Sequence, residues 1–136
     1  MKERIKKIVR ERAKFCCEYC LARLEYSPDV FSIEHIIPKS KNGTDEIENL
    51  ALSCQTCNNY KHTATHAIDS VSGLPAILFH PRNNLWTEHF IWSENLTQMI
   101  GITPTGRATV ARLKLNRESL MNFRKVLHAA NLHPPF

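Results

Sequence analysis

Hydrophobic positions recur at helical spacing over the first fourteen residues. Ile5, Ile8, Val9 and Ala13 fall at i, i+3, i+4 and i+8, with Lys2, Lys6, Lys7, Arg10 and Lys14 around the rest of the barrel. The pattern predicts an amphipathic helix over 2–14 with a basic outer face. It breaks at FCCEYCLAR, a tight cysteine turn, and Ser27-Pro28-Asp29 marks a loop. VFSIEHIIP is short and rich in β-branched residues, which predicts a strand closed by Pro38 and by the KSKNGTDE loop, whose Asn42-Gly43 pair favours positive φ. NLALS, residues 49–53, predicts a second extended segment. CQTCNNYKHTATHAID has helical character, ended by Ser-Gly-Leu-Pro at 72–75. Beyond Pro75, AILFHP reads as extended, and HFIWS and TQMIGIT as a hairpin around Glu94-Asn95-Leu96. Thr103-Pro104-Thr105-Gly106 is a turn opening a short helix through Val110 and Leu113. Leu120, Phe123, Val126, Leu127 and Ala130 give the last helix, with Asn116 as its expected N-cap.

These elements, in 136 residues, predict one α+β domain with a modest core. We expect a central unit at 15–66, a basic N-terminal helix at 1–14 and a C-terminal extension at 75–136. No run of 18 apolar residues is present, and MKERIKKIVRER lacks the apolar stretch of a signal peptide. The expectation is a cytoplasmic protein with no membrane partner. The net charge of +5 is unevenly spread: residues 1–14 hold seven Lys and Arg against two Glu, 15–100 five against ten acidic, and 101–136 six against one. Basic ends suit a polyanion, but an acidic middle repels one unless a cation sits in it.

Five cysteines change the picture most. CEYC (Cys17, Cys20) and CQTC (Cys54, Cys57) form two C-x-x-C pairs, and four thiolates close a tetrahedral shell around Zn²⁺. Such a shell leaves no open position for substrate, so the zinc is expected to be structural. Cys16 is assigned as a free, packed thiol. Between the pairs, Glu34 and His35 stand side by side in an apolar run, where both are costly to bury without partners.

The stretch EHIIPKSKNGTDEIENLALSCQTCNNYKH resembles the HNH nucleases, whose pattern runs acidic-His-x-x-Pro, a Gly-containing loop, Asn-Leu, then C-x-x-C followed by His or Asn and a nearby Lys. The resemblance implies a zinc-stabilised ββα-metal module with flanking helices and a C-terminal hairpin. It implies metal-dependent hydrolysis of phosphodiester bonds, most often in double-stranded DNA, leaving 5′-phosphate and 3′-hydroxyl ends. Glu34 offers a hard oxygen ligand for Mg²⁺ or Mn²⁺. His35, an imidazole that accepts a proton near neutral pH, is the expected general base. Adjacent strand residues point to opposite faces, so a bend or bulge is expected where Glu34 and His35 approach one phosphate. By resemblance, Asn49 orients His35 and Asn58 is a metal ligand. His62, at i+4 from Asn58 on the same expected helix, is a further candidate ligand. Lys61, Arg82 and Arg107 are the candidate nucleic-acid contacts, with Arg112, Lys114, Arg117, Arg124 and Lys125 as a basic group near the C-terminus. The rival reading is a zinc-dependent nucleic-acid-binding module without catalysis, which leaves Glu34, His35 and Asn58 without a reason to coexist.

Overall fold

The computed structural model describes residues 1–136. Helix α1 (Glu3–Arg12) buries Val9 and leads into the cysteine turn. Strands β1 (Phe31–His35) and β2 (Leu50–Cys54) form an antiparallel hairpin, and α2 (Gln55–Lys61) follows directly. Two further two-stranded hairpins come next, β3 (His66–Ile68) with β4 (Pro75–Ile77) and, after the short α3 (Trp86–His89), β5 (Phe90–Trp92) with β6 (Met99–Gly101). Helices α4 (Pro104–Leu113) and α5 (Glu118–Ala129) close the chain. No helix is long and apolar enough to cross a membrane.

Every residue of β2 is buried, because each of its faces meets a different layer. Leu50 and Leu52 pack with Val9 and Ala13 beneath α1, while Ala51 and Cys54 join a larger core with Tyr19, Cys57, Phe79, Phe90 and Leu113. A fully buried leucine stabilises by about 1.5–3 kcal/mol, so this strand anchors α1 on one side and the cysteine turns on the other. The register is regular throughout, with Glu34 opposite Ala51 and His35 opposite Leu50. Paired residues share a face, so Glu34 points into the larger core and His35 to the α1 side. The expected bulge is absent.

Two other expectations are corrected. Helix α2 stops at Lys61, since His62 takes φ 51° and ψ −126°, and THAID continues as β3 instead of as helix. Asn116 does not cap α5, whose N-cap is Arg117. The Asn116 carboxamide pairs with both backbone groups of Met99 instead, at 2.7 and 2.9 Å, stitching the α4–α5 turn to β6. Helix α4 begins as its sequence suggests, with Thr103 Oγ1 accepting from the Gly106 N–H at 3.0 Å and Pro104 in the first turn.

Candidate HNH site and zinc cluster

The two C-x-x-C turns meet in the core. The four Sγ atoms of Cys17, Cys20, Cys54 and Cys57 lie within 4.8 Å of one another, and all four residues are buried. Zn–S arms of about 2.3 Å give a tetrahedron with edges of roughly 3.8 Å, and Cys20 Sγ lies 3.8 Å from Cys54 Sγ. In each turn a backbone N–H points back at the first sulfur, Cys20 N to Cys17 Sγ at 3.5 Å and Cys57 N to Cys54 Sγ at 3.4 Å. The donors favour thiolate. Burial pushes the Cys17 thiol up, but hydrogen bonds from Cys20, Cys54 and Cys57 hold it well below its ordinary value, while the bonds to Cys17 push the Cys20 and Cys57 thiols well above theirs. The residues therefore fit zinc in number, spacing and chemistry. A guanidinium from the distant α4–α5 turn, which no motif spacing links to the cysteines, completes the cluster: Arg117 lies 3.5 Å from Cys57 Sγ and 3.7 Å from Cys54 Sγ, where it offsets thiolate charge. Cys16 stays outside, buried and unpaired, its thiol pushed up by burial.

Glu34 is only 5 % exposed. Its Oε1 accepts from Tyr19 Oη, and its Oε2 lies 3.3 Å from Lys61 Nζ. Lys61, 2 % exposed, also donates to the Ile36 carbonyl at 2.8 Å. Burial raises the Glu34 carboxyl, and the Lys61 charge works against that rise. Burial and the neighbouring carboxylate push Tyr19 well up, so its phenol remains a donor. Lys61, expected at a phosphate, is thus an internal partner of Glu34. Asn58 sits half-buried on α2, three residues before Lys61. Its carbonyl accepts from the His62 N–H at 2.8 Å, and its carboxamide has no hydrogen-bond partner. A carboxylate oxygen and an amide oxygen are each donors that a hard cation takes, and Lys61 supplies the positive charge beside Glu34. His62 is exposed beyond the helix end, its Nδ1 3.2 Å from Thr63 Oγ1.

His35 leaves β1 on the opposite face. Its Nε2 lies 2.7 Å from Asp45 Oδ1, while Lys39 Nζ holds Asp45 Oδ2 at 2.8 Å; Nδ1 has no partner. The Asn49 carboxamide makes no hydrogen bond to the imidazole. Its Oδ1 accepts from the Ile37 N–H at 2.8 Å, and its Nδ2 donates to the Ile37 and Thr44 carbonyls, both at 2.9 Å, so it clamps the two ends of the loop after His35.

The two arginines expected to meet nucleic acid lie in ion pairs. Arg82 binds Glu18, whose other oxygen accepts from the Leu52 N–H at 2.9 Å. Arg107 grips Asp69 through Nε at 2.7 Å and Nη2 at 3.1 Å. Arg124 is 2 % exposed and bonds the Leu115 and Thr97 carbonyls.

No curated protein and no solved structure matches the chain. The family model for HNH endonucleases matches residues 17–64. That span runs from the first zinc-cluster cysteine through the β1–β2 hairpin and past α2, and it contains Glu34, His35, Asn49, Asn58 and all four clustered cysteines. Over residues 17–64 the chain is thus similar to the HNH endonucleases.

Proposed function

We propose that the protein is a metal-dependent endonuclease that hydrolyses phosphodiester bonds of nucleic acid, double-stranded DNA first among them, with His35 as general base. The observation that carries this reading is the half-exposed His35 imidazole, whose Nδ1 is free, at the end of a hairpin whose other face presents Glu34 to α2. Nδ1 takes a proton from water as its oxygen attacks phosphorus, and the 3′-oxygen leaves. Mg²⁺ or Mn²⁺, bound by Glu34 and Asn58, would supply charge neutralisation on the phosphate and the leaving oxygen. Strand β1 pairs only with β2, and in this reading the phosphate lies along its other edge, with His35 on one side and the buried Glu34 on the other. Asn49 keeps the loop beside that edge in one shape. The zinc cluster holds α2 against the hairpin and takes no part in the chemistry.

The test is nicking of supercoiled plasmid by zinc-loaded protein in Mg²⁺, Mn²⁺ or EDTA, beside His35→Ala with zinc content and melting verified. General-base catalysis contributes about 10²–10⁴, so cleavage should need the divalent ion and fall at least about a hundredfold in the variant. Salt-sensitive DNA binding without cleavage in either ion would instead support the non-catalytic binding module.

A further inference from the structure

We infer that Asp45 is a positioning residue for His35: its carboxylate accepts the Nε2 proton, fixes the ring in one tautomer and orientation, and leaves the Nδ1 lone pair directed at the attacking water. The inference rests on the hydrolase reading above and adds to it a residue that the HNH pattern of acidic-His, Asn and Asn does not contain. In neutral imidazole one nitrogen donates and the other accepts. A carboxylate 2.7 Å from Nε2 only accepts, so the proton lies on Nε2 and Nδ1 keeps its lone pair.

Asp45 is exposed, and an exposed ion pair alone is worth little. What distinguishes this one is how the chain delivers it. Pro38 redirects the backbone after His35, and a single 3₁₀ turn (Lys39–Lys41) follows. Asn42 takes φ 67°, and the Gly43 N–H bonds the Pro38 carbonyl at 3.0 Å. A Cβ on Gly43 would stand 1.7 Å from the Ile37 carbonyl oxygen and 2.9 Å from that of Pro38, so the loop closes this tightly only with glycine. The three hydrogen bonds from the Asn49 carboxamide then tie Ile37 to Thr44, the residue before Asp45. Lys39, from the same turn, holds the carboxylate's second oxygen. The loop's closure, its glycine and the buried Asn49 all serve to set Asp45 against the ring. Asp45 itself, its carboxyl drawn down first by Lys39 and then by His35, remains an acceptor.

The experiment compares wild type, Asp45→Ala, Asp45→Asn and Asp45→Glu as zinc-loaded full chains. Three quantities are measured: plasmid nicking at saturating divalent ion, DNA affinity, and long-range ¹H–¹⁵N spectra of the histidine rings at a pH where they are neutral. Asp45→Ala should lower kcat about tenfold or more with DNA Kd unchanged, and Asp45→Glu should recover part of the loss. The His35 nitrogen pattern should move from a fixed Nε2–H form in wild type toward a mixture in Asp45→Ala. Asp45→Asn keeps an acceptor oxygen without the charge and should fall between. Unchanged kcat overturns the inference. So does a fall in kcat with the His35 pattern unaltered, which would mean that Asp45 acts by another route. A wild type that cuts nothing defeats the hydrolase reading, and the ring spectra then decide the positioning of His35 by themselves.

Discussion

Replacing Lys61 by Met tests whether Glu34 is held by a resident cation that a metal ion can replace. Lys61 Nζ is buried 3.3 Å from Glu34 Oε2, with the Ile36 carbonyl at 2.8 Å as its other partner. Methionine has similar length and fills the space, so packing changes little, but Glu34 is left with Tyr19 alone. Removing one partner of a buried pair costs about 3–5 kcal/mol. A domain of this size shifts by roughly 3–5 °C per kcal/mol, interpolating between smaller and larger domains, so the melting point should fall by roughly 10–20 °C. Thermal melts of zinc-loaded protein followed by circular dichroism read this directly. Two companions sharpen the result. Glu34→Gln combined with Lys61→Met removes the uncompensated charge and should be less damaging than Lys61→Met alone, giving a coupling of about 2 kcal/mol. Mn²⁺ should raise the melting point of Lys61→Met more than that of wild type, because the ion no longer competes with an ammonium at Glu34. A Lys61→Met protein within about 1 kcal/mol of wild type, or a strictly additive double variant, would refute the reasoning, since neither is compatible with a buried carboxylate that depends on Lys61.

Three further outcomes are expected. Stripping zinc with a chelator, or Cys54→Ser with Cys57→Ser, should abolish cooperative melting: structural zinc contributes about 10–16 kcal/mol in small sites, against about 5–15 kcal/mol for a whole domain. Metal analysis should return one zinc per chain, and a metal-free chain melting within a few degrees of the loaded one would overturn this. For DNA binding, Lys41→Ala should reduce the slope of log K against log salt by about 0.9, because Lys41 is exposed in the His35 loop. Arg82→Ala and Arg107→Ala should instead lower the melting point, through loss of the Glu18 and Asp69 pairs.

Much of this architecture was legible because its signals are local. The α1 stripe, the strands around Glu34, the β5–β6 hairpin and the paired cysteines each depend on spacing within a dozen residues. What failed had two causes, a local turn outweighed by the helical spacing before it and a partner distant in sequence. The run after Lys61 looked helical, yet Asp69 accepts from the Val71 and Ser72 N–H groups, and Gly73 takes φ 72°, which turns the chain into the β3–β4 hairpin. The S-V-S-G composition carried that turn signal. Asn116 looked like a cap, but Met99 on β6 offered it two backbone partners. Within the site, the residue types were readable and their directions were not. No pattern says that the lysine after C-x-x-C turns inward to Glu34, or that a loop aspartate returns to His35.

The division between the two kinds of cation bears on how nucleic acid reaches this site. A guanidinium has five donors in a rigid fork and satisfies buried carbonyls and carboxylates that an ammonium reaches less completely. Arg12 bonds the Ile47 and Leu50 carbonyls, Arg23 those of Leu132 and Pro135, and Arg117 the thiolates, while Arg82, Arg107 and Arg124 are engaged as described. The exposed positive charge is therefore mostly lysine. Lys2, Lys7 and Lys14, with Arg4, lie exposed on or beside α1, and Lys39 and Lys41 on the His35 loop. Helix α1 packs on the Leu50–Leu52 face of the hairpin, which is the face that His35 shares through its pairing with Leu50. In the proposed function, a polyanion drawn by those lysines meets the imidazole first. The Glu34 carboxylate stands behind the strand, facing α2 and buried against Tyr19 and Lys61, so in that reading the imidazole, and not the carboxylate, is the group that a phosphate meets from solvent.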